Sequence, residues 1–322
     1  MKAIKQDTYG PIAILEERDI DKPAITESEV LIRVRAAAVH VGDVFGVKGS
    51  PFLMRAATGL RRPKYGVPGF DVAGDVVAIG ATVTSFKVGD AVFGVGVGTC
   101  AEYTRASESK LAAKPAGLTY EQAAAIPTSA IAALQGLRDA GHVRAGQKVL
   151  IYGASGGVGT FAVQIAKALG ADVTGVCGTP SVDLVRSIGA DHVIDHTAVD
   201  FVASGARYDV IFDNVENRSL SDVRRALTPD GILVLNSGTG ATGLRMFVRL
   251  LRPIVLSIFT RQKMRRFISS ATSVDLAFLS GLVEAGKLRP VIDRTYPLEE
   301  TPAALRRIEA GQSHGKVVVA VA

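Results

Sequence analysis

Short apolar runs recur through the second half of the chain: Val149–Tyr152, Val173–Val176, His192–Ile194, Val210–Phe212 and Ile232–Leu235. Each is brief and nearly continuous, as strands covered on both faces tend to be. Helix-period sequence separates them, and this alternation predicts a doubly wound parallel sheet in an α/β protein. Before about Glu121 the pattern differs. Val30–Arg35 alternates like a half-buried strand, Gly69–Gly80 is a strand run interrupted by glycine, and Val88–Gly94 reads as a turn and strand. Ala123–Ala140 is alanine-rich and helical, with a break at Pro127. Pro290–Ile292 and Lys316–Val319 read as strands around a helix at Thr301–Ala310. Internal repeats and low-complexity segments are absent from the sequence.

The stretch VLIYGASGGVGTFAVQIAKALG, from Val149 to Gly170, places a strand, a small-residue turn and a helix in succession. Ala154, Gly156 and Gly159 stand in G/A-x-G-x-x-G spacing, with Ser155, Gly157 and Val158 between them. Small residues let the backbone turn tightly, approach a diphosphate and pack helix on strand. The helix N-terminus offers N–H groups and partial positive charge to an anion. A second strand follows at Val173, and the context predicts a dinucleotide site; a structural glycine turn is the alternative.

An NAD site usually carries a carboxylate at the end of the second strand to bind the ribose 2′-hydroxyl. Asp172 precedes that strand and lies at its wrong end. The correct end reads Cys177-Gly178-Thr179-Pro180-Ser181, with no carboxylate before Asp183. This pattern favours NADPH, with Thr179 and Ser181 as phosphate contacts and Arg186 more distant. Ser181 also fits the N-cap of a helix at Val182–Ile188.

The 322 residues are 48% hydrophobic and 21% charged, which suits a large core and two domains. No apolar run approaches the ~20 residues that span a bilayer, and the N-terminal residues read as a strand rather than a signal or transit segment. Two cysteines, Cys100 and Cys177, are too few for a disulfide framework, so the expected compartment is the reduced cytoplasm. The net charge of +6 is spread along the chain without a basic–aromatic patch. An anionic cofactor explains it better than nucleic acid.

The motifs Pro68-Gly69-Phe70-Asp71-Val72-Ala73-Gly74, Phe86–Gly94, Gly153–Gly159 and Gly315-Lys316-Val317-Val318 together resemble the medium-chain dehydrogenase/reductase superfamily. The resemblance is strongest to the quinone oxidoreductase (zeta-crystallin-like) branch and its alkenal/enone reductase relatives. It implies a GroES-like β-rich catalytic domain at 1–122, completed by 288–322, and a Rossmann NADPH-binding domain at 123–287. It further implies an active site between the domains and a homodimer. Zinc alcohol dehydrogenases of the superfamily use Cys, Gly-His-Glu and Cys, and a catalytic zinc needs about three protein ligands. Here those positions hold His40, Gly69-Phe70-Asp71 and the neighbourhood of Thr128, so no metal is expected.

The resemblance therefore implies hydride transfer from NADPH to a small hydrophobic electrophile, a quinone or an α,β-unsaturated carbonyl. Charge then develops on the acceptor oxygen, which needs a hydrogen-bond donor. The relatives carry Asn-Pro-x-Asp where this chain has His40-Val41-Gly42-Asp43. His40 is the candidate catalytic donor and Tyr65 a second, while a buried, satisfied histidine and a packed surface tyrosine are the plainer alternatives. Asp43 is expected to fix the loop and Thr128 to lie beside the nicotinamide. His196 stands near the adenosine, where relatives often have Tyr. Asn214-Val215 and Ser237-Gly238-Thr239 follow the fourth and fifth strands, and Lys316 is expected near the phosphates or nicotinamide.

Leu244–Phe267 mixes bulky apolar residues with six arginines and a lysine. A helix–loop–helix at the substrate mouth is expected over a membrane-binding element, because Pro253 breaks a continuous amphipathic helix. Two other functions stay open: an alcohol/aldehyde dehydrogenase, and a non-catalytic NADPH-binding sensor or RNA-binding protein.

Overall fold

The computed structural model describes residues 1–50, 52, 55–236 and 260–322. They fall into two compact units: Met1–Ser129 with Ala271–Gly286 and Pro290–Ala322, and Ala130–Ser270 with Lys287–Arg289. In chain order the strands are β1 (Lys2–Lys5), β2 (Glu16–Asp19), β3 (Glu29–Val39), β4 (Asp71–Ile79), β5 (Ala91–Val95), β6 (Tyr103–Ser107), β7 (Leu111–Ala113), β8 (Lys148–Tyr152), β9 (Asp172–Cys177), β10 (His192–Asp195), β11 (Tyr208–Asp213), β12 (Leu227–Leu235), β13 (Lys263–Arg266), β14 (Ile292–Pro297) and β15 (Lys316–Ala320).

The first unit is a GroES-like, mainly antiparallel sheet in the order β14-β15-β3-β4-β5-β7, with β6 also on β3. Its centre is β3, longer than its alternating segment suggested. Ala36–Val39 extend it because their small side chains are wholly buried between β15 and β4. Two register shifts against β4 bend it, as bulges do. Ile4, Ile32, Val72, Val92, Leu305 and Val317 share one core, so the C-terminal segment completes this unit.

The second unit is a six-stranded parallel Rossmann-type sheet, ordered β10-β9-β8-β11-β12-β13. The chain runs outward from β8 through β10, then returns to the other side of β8 at β11. That reversal opens a crevice at the carboxyl ends of β8 and β11, where ligands of such sheets bind. Leu150, Val176, Phe201, Ile211 and Leu233 pack below it.

The alanine-rich stretch forms helices Tyr120–Ala124 and Pro127–Gln135, then a wide π turn at Gly136–Ala140. Pro127 opens the second helix, where its missing N–H is harmless. Most of the basic–apolar segment lies outside the described residues, as do Ser237, Gly238 and Thr239. Its last part is an edge strand rather than a helix: Lys263–Arg266 pairs with Ile232–Leu235. Its arginines are engaged internally, Arg261 with Asp230, Arg265 with the Ala140 carbonyl and Arg266 with Glu216. Among the described residues, no helix is long and apolar enough to cross a membrane.

Candidate active site

In the second unit the glycine turn closes between β8 and the helix Gly159–Ala168. Gly153 has φ +79°, a left-handed conformation that favours glycine. A Cβ on Gly159 would fall 2.0 Å from the Gly153 carbonyl oxygen, so only glycine lets the helix start so close to the strand. Gly156, by contrast, would meet only that carbonyl, at 3.5 Å. Ala154 is buried, and Ser155, Gly156, Gly157 and Val158 are partly exposed. No side chain caps this helix, whose N-terminal cap position is Val158. A tight turn, room at Gly156 and an uncapped helix N-terminus form a cradle that fits a diphosphate.

At the far side of β8, Gly178 and Thr179 follow β9, and His196 follows β10. A Cβ on Gly178 would lie 3.6 Å from His196 Nε2, so the two ends are adjacent. Thr179 is exposed and donates to Asp195 Oδ2 at 2.6 Å, while its Oγ1 lies 2.9 Å from Thr197 Oγ1. Hydrogen bonds from Thr179 and Thr197 hold the Asp195 carboxyl below the usual carboxylate range. The sequence reading missed this carboxylate because it arrives from the next strand. Ser181 is 2% exposed and makes no capping hydrogen bond, although it stands at the N-cap position of Val182–Ser187.

On the other side of the crevice, Asn214 N–H and Nδ2 both donate to the Tyr152 carbonyl, and Asn214 Oδ1 accepts from Asn236. Val215 packs on the glycine turn: a Cβ on Gly153 would come within 2.8 Å of it. The loop after β11 thus adjoins the turn, at the edge where the parallel sheet binds ligands.

The first unit holds a second polar group. His40 caps the helix Val41–Lys48. Its Nδ1 accepts from Gly42 N–H at 2.9 Å, and its own N–H donates to Asp43 Oδ2 at 2.7 Å. This is a reciprocal cap, with Asp43 three residues after His40. Because Nδ1 is an acceptor, the ring proton sits on Nε2. That Nε2–H is buried and has no hydrogen-bond partner among the described residues, and the ring is stacked on Phe70 at 5.9 Å. Asp43 is 1% exposed, and its Oδ1 also has no hydrogen-bond partner among the described residues. Burial pushes the Asp43 carboxyl above its ordinary value, with His40 opposing the shift. Asp43, Gln6, Thr58, Tyr65 and Phe70 line a cavity of about 50 Å³. Tyr65 is exposed at its rim, with Lys64 over its ring.

Lys316, expected near the phosphates or nicotinamide, is enclosed beside Thr128 and Asp71. It is 1% exposed and donates to Asp71 Oδ2 at 3.1 Å and Ser129 Oγ at 3.0 Å. The other Asp71 oxygen accepts from Thr128 N–H at 2.9 Å and from the Thr128 hydroxyl. Asp71 and Ser129 were not among the expected site residues; the readable signal was two charged residues, Asp71 and Lys316, each opening an apolar strand run. With its proton donated to Asp71, the Thr128 hydroxyl keeps a free acceptor face.

Zinc does not fit these residues. Among the described residues no three His, Cys, Asp or Glu side chains are grouped to hold a metal ion. Phe70 covers His40, and Thr128 is tied to Asp71.

Comparison with known proteins agrees with the fold of both units. Residues 26–136 match the alcohol dehydrogenase GroES-like domain, and residues 188–319 match the family model described as zinc-binding dehydrogenase. The chain is 34% identical to the mitochondrial NAD(P)H oxidoreductase RTN4IP1 of Mus musculus, over 98% of this chain and 88% of that protein. It is 32% identical to the chloroplastic NADPH-dependent alkenal/one oxidoreductase of Arabidopsis thaliana, over 99% of this chain and 79% of that protein. The quinone oxidoreductase structure from Coxiella burnetii superposes with a TM-score of 0.87 at 28% identity, covering 100% of this chain and 99% of that one. The chain therefore belongs to the medium-chain dehydrogenase/reductase superfamily, in its quinone oxidoreductase and alkenal/one reductase branch. It is an NAD(P)H oxidoreductase of that type.

Proposed function

We propose that this protein uses NADPH to reduce a quinone or an α,β-unsaturated carbonyl without a metal. The observation that carries the reading is the buried, unpartnered Nε2–H of His40, combined with a glycine turn shaped for a diphosphate. Bound NADPH would supply the hydride. The Ser155–Gly159 turn and helix N-terminus would hold its diphosphate, with Thr179 and His196 at the adenosine ribose and Asn214-Val215 on the nicotinamide side. The Thr128 acceptor face suits the carboxamide of the nicotinamide.

The acceptor would take that hydride at an electron-poor carbon, which leaves negative charge on its carbonyl oxygen. His40 Nε2–H donates a hydrogen bond to that oxygen, and a proton taken up from solvent completes the reduction. Asp43 acts through His40 by fixing its backbone, and Asp71 acts through Thr128. Tyr65, exposed at the cavity rim, contributes apolar surface and a hydroxyl to the acceptor's approach.

Hydroxyls at Thr179 and Thr197 and the neighbouring His196 support NADPH, as does the cofactor in the name of the Arabidopsis relative. The Asp195 carboxylate works against a 2′-phosphate and tempers that preference. The test is the loss of NADPH absorbance with 1,4-benzoquinone, 9,10-phenanthrenequinone, an alkenal and a saturated aldehyde, with NADH in parallel. Turnover of a quinone or the alkenal, but not the saturated aldehyde, is expected. Turnover of the saturated aldehyde alone would assign an aldehyde reductase. Tight NADPH binding with no turnover would assign a binding role.

A further inference from the structure

Glu216 is one of two non-glycine residues with positive φ among those described, at +52°. L-residues avoid this conformation, and one that persists is held by its surroundings. Three contacts hold it here. Its N–H donates to Asp213 Oδ1 at 2.8 Å, as does that of Val215 at 2.9 Å. Its carboxylate, 6% exposed, receives Arg266 Nη1 at 2.9 Å and Nη2 at 2.6 Å. Arg266 ends β13, opposite Leu235 of β12, whose other neighbour in the same row is Asp213. The pair thus braces the loop after β11 against two strands. That loop presents Val215 to Gly153 of the glycine turn and Asn214 to the end of β8.

Given the dinucleotide reading, on which this inference rests, the adenosine half lies over β9 and β10. The loop after β11 then faces the other half. We propose that Glu216 and Arg266 are positioning residues that set this loop for the nicotinamide half of the dinucleotide. A bidentate Arg–carboxylate pair supplies the geometric precision such a role needs. The strained backbone at Glu216 is the conformation it enforces.

The test measures binding of NADPH and of ADP-ribose, which lacks the nicotinamide, to the parent chain, Arg266→Met and Glu216→Gly. Glycine accepts the +52° backbone, so Glu216→Gly removes the clamp without new strain. Both variants are expected to weaken NADPH by about tenfold, equivalent to about 1.4 kcal/mol, and to leave ADP-ribose within about twofold of parent. Unchanged NADPH affinity in Glu216→Gly, or equal weakening of both ligands, would overturn the assignment. A parent chain that binds neither ligand would instead sink the dinucleotide reading, and this inference with it.

Discussion

His40 and Asp43 show how one local motif sets two chemical states. A histidine at a helix N-cap gives one ring nitrogen to a backbone N–H, which leaves the other as a fixed donor. Asp43 completes the cap at the cost of a buried charge, and burial raises its pKa more than His40 lowers it. Protonation is thus favoured in the folded chain. The corresponding stability is present below the unfolded value of about 3.9 and is lost as pH rises through the raised native value. Asp43→Asn keeps an acceptor for the His40 N–H and removes the charge. Urea unfolding should show the variant gaining on the parent as pH rises from about 4 to about 8; a gap independent of pH would contradict this. The two cysteines are held as thiols for a related reason. Burial, reinforced by Asp43, pushes the Cys100 thiol up, while burial and then Asp195 push Cys177 up to about 11. Neither should react with a thiol reagent in the native state at neutral pH, but both should react after unfolding. Fast native labelling would contradict the burial.

At the scale of elements, Asp71 opens β4 and Lys316 opens β15. The two reach each other across the end of β3, where Ala38 pairs with both strands and Val39 with β15. Small side chains at Ala36–Ala38 leave room for that arrangement. Lys316→Met strands a buried carboxylate and should cost about 3–5 kcal/mol in urea unfolding, whereas Asp71→Leu/Lys316→Met should recover most of it. A single variant as stable as the parent would mean that the pair is solvated. Beside β9 and β10, Asp195→Asn should raise the ratio of NADPH to NADH turnover, because it removes a negative charge next to Thr179; an unchanged ratio would place the 2′-phosphate elsewhere.

These elements also mark what could be read from sequence. The runs at Val149, Val173, Val210 and Ile232 are apolar because both faces of β8, β9, β11 and β12 are covered, so composition alone reveals them. Lys-Met-Arg-Arg in β13 has no such run. It is an edge strand, and its pairing with β12 is a tertiary fact. Asp195 escaped notice beside Thr179 because sixteen residues separate them in sequence, and only the parallel register of β9 and β10 unites them. The glycine turn between β8 and its helix was legible in its spacing. The partners of Lys316 were not, since a buried lysine and a ligand-binding one look alike in sequence.

For the molecule as a whole, each unit has its own core and its own polar group. The second unit carries the glycine turn and a crevice at a strand-order reversal. The first carries a buried donor on His40 and an ion-paired anchor for Thr128. The proposed reaction asks for two things, a hold on the dinucleotide and a donor for charge on the acceptor oxygen. The most direct test is therefore a single turnover. Enzyme saturated with NADPH is mixed with the acceptor identified by the panel, and hydride transfer is followed in the parent and in His40→Ala. Loss of one oxyanion donor typically slows transfer by about 10²–10³, and the account predicts such a loss with NADPH affinity unchanged. Equal rates in the two proteins would contradict it and remove His40 from the reaction.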